Sequence, residues 1–342
     1  MKQRPSRQQT VLLITIIAFV ALAVLAVALD WKQVSQVLGK SNLVLTVVAL
    51  VFTMVSYVCL SLGYVIVNRA FGVPVSWGHL FQVGFVSSAL NNILAFLGAA
   101  GHSLRMALVR NPSGRGGEVL AASLFHSYLN NVMMFLLLAV GLIVLLASNV
   151  VYGGGAVSLG LICGLLILSL AVATAMLFIV RLRWWLMRAV AWVWRLITRK
   201  DLTPFLTEFS HALTHGLAAL GRRPATMLGV LTLMLADWVF AAVALWFCFA
   251  ALGSAPGVGV LVSGFGIGIS VGNLSFLPGG LGVQEASMAG VFALLGGSFG
   301  QAVLAAILFR VVYDFVPFLL SLSLYGRLLR RLRSGWPRGG RP

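Results

Sequence analysis

The feature that most constrains this chain is a succession of apolar runs, each about twenty residues long, at 11–29, 43–67, 119–147, 159–180, 226–252 and 301–325. The first four contain no Asp, Glu, Lys or Arg. A run of that length either lies in a very large core or crosses a bilayer, and a β-barrel would instead show alternating segments of about ten residues. Composition decides for the bilayer. The 342 residues are 60% hydrophobic and 9% charged, with a mean hydropathy of +1.02. A soluble domain carries about a quarter of its residues as charges.

The formal net charge of +17 does not indicate a nucleic-acid partner. Most Lys and Arg flank apolar runs, at the two ends and in the 181–223 stretch, as expected for segments facing anionic headgroups on the cytoplasmic side. That stretch also carries Trp184, Trp185, Trp192 and Trp194, so it reads as one or two amphipathic helices on the cytoplasmic membrane face. Cys59, Cys163 and Cys248 are isolated within apolar runs and read as small buried hydrophobes.

Two further segments are apolar but broken. The first, at about 78–108, is interrupted by Asn91, Asn92, Gly98, Gly101, His102 and Arg105; the second, at about 258–297, contains Asn273, Pro278, Gly279, Gly280, Gly282 and Glu285. Proline and glycine interrupt the helical ladder, and the freed amides and carbonyls need a protein partner or a polar cavity at membrane depth. If both segments simply crossed, the basic 110–118 link would lie outside and the uncharged 148–158 link inside. If each returns to its own side, every basic flank except 30–42 falls inside, in better accord with the positive-inside rule.

The expectation is therefore an all-α, polytopic helical membrane protein. It would have about six full spans and two re-entrant hairpins, eight hydrophobic segments in all. Residues 1–342 would form a single membrane domain, with a first repeat at 11–148, a second at 158–326, a cytoplasmic amphipathic insert at 181–224 and a basic tail at 327–342. Both termini are expected in the cytoplasm, with the first helix retained; a cleaved leader ending near Ala28 is the alternative.

An offset of 180 supports two halves of opposite orientation. It aligns Gly84-Phe85 with Gly264-Phe265, Leu94 with Leu274 and Phe96-Leu97 with Phe276-Leu277, five identities in the twenty-two positions 84–105, and sets Arg105 opposite Glu285. Broken segments at corresponding places in two inverted halves are the pattern of transporters with a site at the midplane. The Gly264, Gly268 and Gly272 stripe serves either close packing or movement.

Ionisable groups within the bilayer are costly and are functional candidates by default. Here they are His102, Arg105, His126, Asp237, Glu285, Arg310 and Asp314. Arg105 and Glu285 are expected to face one cavity that Arg310 and Asp314 close, the two guanidiniums matching phosphate oxygens of an anionic headgroup. Asn92 and Asn273 would line it, and Pro278, Gly279, Gly280 and Gly282 would hinge. Asp237, His126 and Tyr313 have either proton-carrying or structural roles. Arg310 and Asp314 could equally form a structural pair. Glu208, His211 and His215 share a helix face without the spacing of a metalloprotease motif, and read as a solvated surface. No nucleotide loop, nucleophile elbow or dinucleotide fingerprint occurs; no cofactor, metal or catalytic residue is expected.

Phe276-Leu-Pro-Gly-Gly-Leu-Gly-Val-Gln-Glu285, Gly101-x3-Arg105 with Leu108, and Arg310-x2-Tyr313-x3-Pro317 occur here in order. In these motifs the chain resembles, over nearly its whole length, the membrane region of lysylphosphatidylglycerol synthases, a flippase-like domain family. The resemblance implies movement of lipid between leaflets of a bacterial inner membrane. In the full synthases a separate C-terminal domain transfers lysine from tRNA. This sequence stops at Pro342, so that transfer is not expected, and the chain is read as a transporter rather than an enzyme. The family's first motif commonly reads P-x3-G-E-x2-R, whereas Leu97, Gly101, His102 and Arg105 stand here, with a histidine in place of the carboxylate. An anionic membrane lipid is the expected partner. The alternative is a non-transporting scaffold that holds a lipid or a glycosyl- or aminoacyl-transferase, docked through 181–223.

Overall fold

The computed structural model describes residues 39, 41–94, 99–109, 116–147, 154–198, 201–275 and 277–334. The expected first span at 11–29, the motif residues Leu97 and Phe276, and the end of the basic tail lie outside the described residues. Every regular element among those described is helical. In chain order they are α1 (Leu43–Ala70), α2 (Trp77–Leu94), α3 (Ala99–Leu108), α4 (Gly116–Ala147), α5 (Gly154–Phe178), α6 (Val180–Thr198) and α7 (Thr203–Gly221). Then come α8 (Pro224–Ala251), α9 (Val258–Leu274), a short 3₁₀ turn (Pro278–Gly280), α10 (Val283–Leu294), α11 (Phe299–Arg310), a π-helical turn (Val311–Phe315) and α12 (Val316–Ser334).

Among the described residues, four helices are long and apolar enough to cross a membrane: Leu43–Ala70, Gly116–Leu145, Pro224–Ala251 and Phe299–Leu328. A fifth is reached if Ile167–Phe178 and Val180–Leu196, bent by 101° at their junction, count as one span. Polarity is inverted relative to a soluble fold. Leu43, Val44, Val47 and Val51 of α1 are exposed, while Thr53, Ser56, Ser61 and Asn68 of the same helix are fully buried. Leu136, Val140, Leu228, Leu235, Leu319 and Leu320 likewise point outward. Exposed large aliphatics on every long helix suit hydrocarbon, with the polar groups turned towards each other inside.

The centre is the antiparallel pair α1 and α8. Asn42 caps α1, its side chain accepting from the amides of Val44 and Leu45, and its own amide donates to Ala251 O at 2.8 Å, joining the start of α1 to the end of α8. At the other end Gly63 packs on the tip of the Met234 side chain. The α8 face carries Ala241, Ala242, Ala244 and Ala251, all buried, so close approach here rests on small residues.

Both broken segments fold back on themselves. In the second, Gly264 lies against Phe292, Gly268 against Met288 and Gly272 against Gln284, so α9 and α10 run antiparallel in direct contact. The glycine stripe is thus used for packing within this hairpin. Its turn needs glycine: Gly279 and Gly280 have φ of 60° and Gly282 of 76°, and a Cβ on Gly279 would stand 3.0 Å from Ile93 O. In the first, Gly101 lies against Ser87 and Asn91, and His79 Nε2 is 3.0 Å from Leu108 O, so α2 and α3 are antiparallel too. The Gly279 turn touches the end of α2 at Asn92 and Ile93, so the turn of the second hairpin meets the first broken segment there.

The 181–223 stretch forms two helices, α6 and α7. Trp185, Trp192 and Trp194 of α6 are exposed, whereas Arg183 is buried and donates to Leu177 O at 3.2 Å and Thr214 Oγ1 at 2.7 Å. Glu208 of α7 accepts from the amide of Gly117 at 2.9 Å, occupying one free N–H at the start of α4.

Candidate functional site

Among the described residues, the candidate side chains fall into three buried polar groups. The first forms where the second hairpin meets the last span. Arg310 ends α11 and is 6% exposed; its Nε donates to Glu285 Oε1 and its Nη1 donates to Gly279 O at 3.0 Å. The same Nη1 lies 3.7 Å from Asp314 Oδ2. Arg310 and Asp314, four residues apart, meet even though a π-helical turn begins at Val311 and carries Asp314. Glu285 uses its other oxygen, Oε2, to accept the Gly282 amide at 2.8 Å, so one carboxylate binds both the glycine turn and the last span. Two carboxylates share one guanidinium. A buried ion pair is tolerable only with its remaining groups hydrogen-bonded, as most are here.

The second group crosses the α1 and α8 pair. Ser56 donates to Asp237 Oδ1 and accepts from Tyr313 OH at 2.8 Å. Tyr57 OH donates to Tyr313 O at 3.1 Å and accepts from Asn92 Nδ2 at 2.9 Å. Asn92, Tyr313 and Asp237 thereby belong to one hydrogen-bonded chain linking the tip of α2, the π-helical turn, α1 and α8. Tyr313 also stacks on Phe309, with ring centroids 4.9 Å apart.

The third group surrounds Arg105, which is 5% exposed. Its Nε donates to Ser87 Oγ at 2.8 Å, its Nη2 reaches Ser88 Oγ at 3.4 Å, and the guanidinium lies 4.5 Å from the Tyr64 ring centroid. Its Nη1 has no hydrogen-bond partner among the described residues. His102 Nε2 is 3.5 Å from Ser127 Oγ, and His126 Nε2 is 3.1 Å from Leu60 O across the α4 and α1 contact. Glu285 is paired with Arg310, not with Arg105, whose neighbours are hydroxyls and an aromatic face. The reason is local: the 278–282 turn carries the Gly279 carbonyl and Glu285 to the end of α11, where Arg310 bridges them. Asn273 turns to α4, its Nδ2 3.2 Å from Met134 Sδ.

Sequence reasoning missed Ser56, Tyr57, Tyr64, Ser87 and Ser88, because single hydroxyls within apolar runs are unremarkable. A signal was present: Thr53, Tyr57, Ser61, Tyr64 and Asn68 recur at three- and four-residue steps, a polar stripe along α1.

The family model described as the lysylphosphatidylglycerol synthase TM region matches residues 11–321. Phosphatidylglycerol lysyltransferases of Staphylococcus aureus, in strains COL, MSSA476 and N315, are each 23% identical over 302 residues, covering 86% of this chain. The match spans 31% of their own length, so this chain corresponds to about a third of those relatives. With the family match running through the described helices and all three polar groups, the chain belongs to the lysylphosphatidylglycerol synthase transmembrane-region family.

Proposed function

We propose that this chain moves an anionic or polyprenyl-phosphate-linked lipid between the leaflets of a bacterial cytoplasmic membrane. The observation that carries this reading is the meeting of two folded-back segments, the glycine turn of one against the end of α2 in the other, beside a buried group of one guanidinium and two carboxylates. The antiparallel contacts of α2 with α3 and of α9 with α10 support their reading as re-entrant hairpins. The antiparallel packing of α1 on α8, which the 180-residue offset relates, supports an inverted repeat of 11–148 and 158–326 in one membrane domain. On this reading both termini are cytoplasmic, and α6 and α7 are the amphipathic insert of 181–224.

Arg105 and Arg310 contact phosphate, with His102, Asn92 and Asn273 in the cavity wall. Arg310 is engaged by Glu285, Asp314 and the Gly279 carbonyl, so a phosphate that reaches it exchanges with a carboxylate. Losing Glu285 frees the Gly282 amide and the turn with it, which makes Pro278, Gly279, Gly280 and Gly282 the hinge. Asp237, Tyr313 and His126 take either proton-carrying or structural roles beside it. In proteoliposomes carrying a headgroup-labelled phospholipid, Glu285→Gln and Arg310→Gln should each slow movement at least about tenfold while remaining monodisperse. Wild-type rates in both variants would sink the proposal.

A second reading is a non-transporting scaffold for a transferase. It is favoured by the lysyltransferase name of the relatives and by the exposed tryptophans of α6. A purified chain that moves no lipid but retains a glycosyl- or aminoacyl-transferase through 181–223 would decide for it.

A further inference from the structure

The interior charges are unevenly compensated. Arg310 shares its charge with two carboxylates, whereas among the described residues no Asp or Glu forms an ion pair with the equally buried Arg105. A guanidinium taken out of water without a counter-ion costs several kilocalories per mole. Neutral serine oxygens and the Tyr64 face compensate only part of that. Among the described residues, Arg105 Nη1, His102 Nδ1 and His126 Nδ1 are buried without a hydrogen-bond partner, three such nitrogens against the single Nη2 of Arg310. His102 precedes Arg105 by three residues on α3, and both imidazoles are within electrostatic reach of the guanidinium. The group therefore offers one full positive charge and up to two donors, Arg105 Nη1 and His102 Nδ1, because His126 Nε2 donates to Leu60 O and leaves its own Nδ1 an acceptor.

Resting on the lipid reading above, we propose that Arg105 is an anion subsite distinct from the Arg310 group, built for a singly charged phosphodiester headgroup. Charge matching sets the class. One guanidinium with no carboxylate beside it neutralises a monoanion, while a phosphomonoester or diphosphate would bring excess negative charge into a low-dielectric site. Arg105 also bridges the two helices of the first hairpin, bonding Ser87 and Ser88 of α2 from α3. A phosphate oxygen is a stronger acceptor than a serine hydroxyl, so entry of the diester exchanges those weak bonds for charge-assisted ones.

The test is equilibrium binding to the purified full chain in detergent, with dihexanoyl phosphatidylglycerol, dihexanoyl phosphatidate and inorganic phosphate as probes. The diester should bind tightest. Arg105→Gln should weaken it about tenfold or more, Arg105→Lys less, because a lysine keeps the charge and loses the fork. His102→Glu should weaken it to a similar degree by supplying an internal counter-ion one turn away, an effect that a merely structural arginine would not produce. Equal diester binding by wild type, Arg105→Gln and His102→Glu would overturn the subsite. Phosphatidate binding as tightly as the diester would overturn the monoanion assignment, and equal affinity for inorganic phosphate would overturn the lipid assignment. Lipid movement measured on the same variants separates the two proposals. Diester binding that ignores Arg105 refutes the subsite alone; intact, Arg105-dependent binding without movement refutes transport alone.

Discussion

Arg310 meets Glu285, Asp314 and the Gly279 carbonyl, and its replacement leaves buried acceptors without a donor. Breaking one partner of a buried pair costs about 3–5 kcal/mol, because the surviving charge stays desolvated. Arg310→Gln should therefore lower thermal stability in detergent markedly. The double variant Arg310→Gln with Glu285→Gln should lose less than the sum of the single changes. Strict additivity in a double-mutant cycle would show that the two side chains do not act together. The Ser56 hydroxyl allows a finer comparison. Tyr313→Phe removes one hydrogen bond of about 1 kcal/mol, whereas Ser56→Ala leaves buried Asp237 without its hydroxyl donor and should cost more, about 1–3 kcal/mol. The reverse order in melting temperatures would contradict that geometry.

At the scale of elements, the α9 and α10 hairpin depends on glycine where backbones touch. A Cβ on Gly268 would stand 2.9 Å from Met288 Cβ and 3.1 Å from its Cα, neither of which can swing away, while one on Gly290 would meet nothing within 4 Å. Gly268→Ala should accordingly destabilise by about 1–3 kcal/mol. Gly290→Ala should be neutral or stabilise by up to about 1 kcal/mol, as a helix-interior glycine replaced. Comparable melting temperatures for the two would remove the case for close helix contact. The elements themselves were legible in the sequence. Long apolar runs, the last two interrupted only by Asp237 and by Arg310 and Asp314, marked the four span-length helices, and Pro278 with its glycines marked the second turn. Pairing within the interior was not. An offset of 180 relates Arg105 to Glu285, yet equivalent positions touch only where both lie near the line at which two halves meet. The carboxylate sits at a helix start beside the last span, and the guanidinium sits within its own hairpin.

For the whole molecule, the arrangement of charges and the folded-back segments both favour the proposed topology. The positive-inside rule is better met with an even number of crossings within each broken segment, and the α2 with α3 and α9 with α10 contacts give chains that reverse direction. Topology therefore has a sharp consequence on either side of each hairpin. Single cysteines are introduced by Ser76→Cys, Pro112→Cys, Ala255→Cys and Gly300→Cys in a chain whose own Cys59, Cys163 and Cys248 are replaced. Ser76, Ala255 and Gly300 are exposed, and at Gly300 a Cβ meets nothing within 4 Å. Labelled from outside with a membrane-impermeant maleimide in intact cells, positions 255 and 300 should both react, and positions 76 and 112 should react only after the membrane is opened. If either segment crossed fully, the two members of its pair would label from opposite sides. That outcome would also remove the meeting of two folded-back segments on which the proposed route for lipid depends.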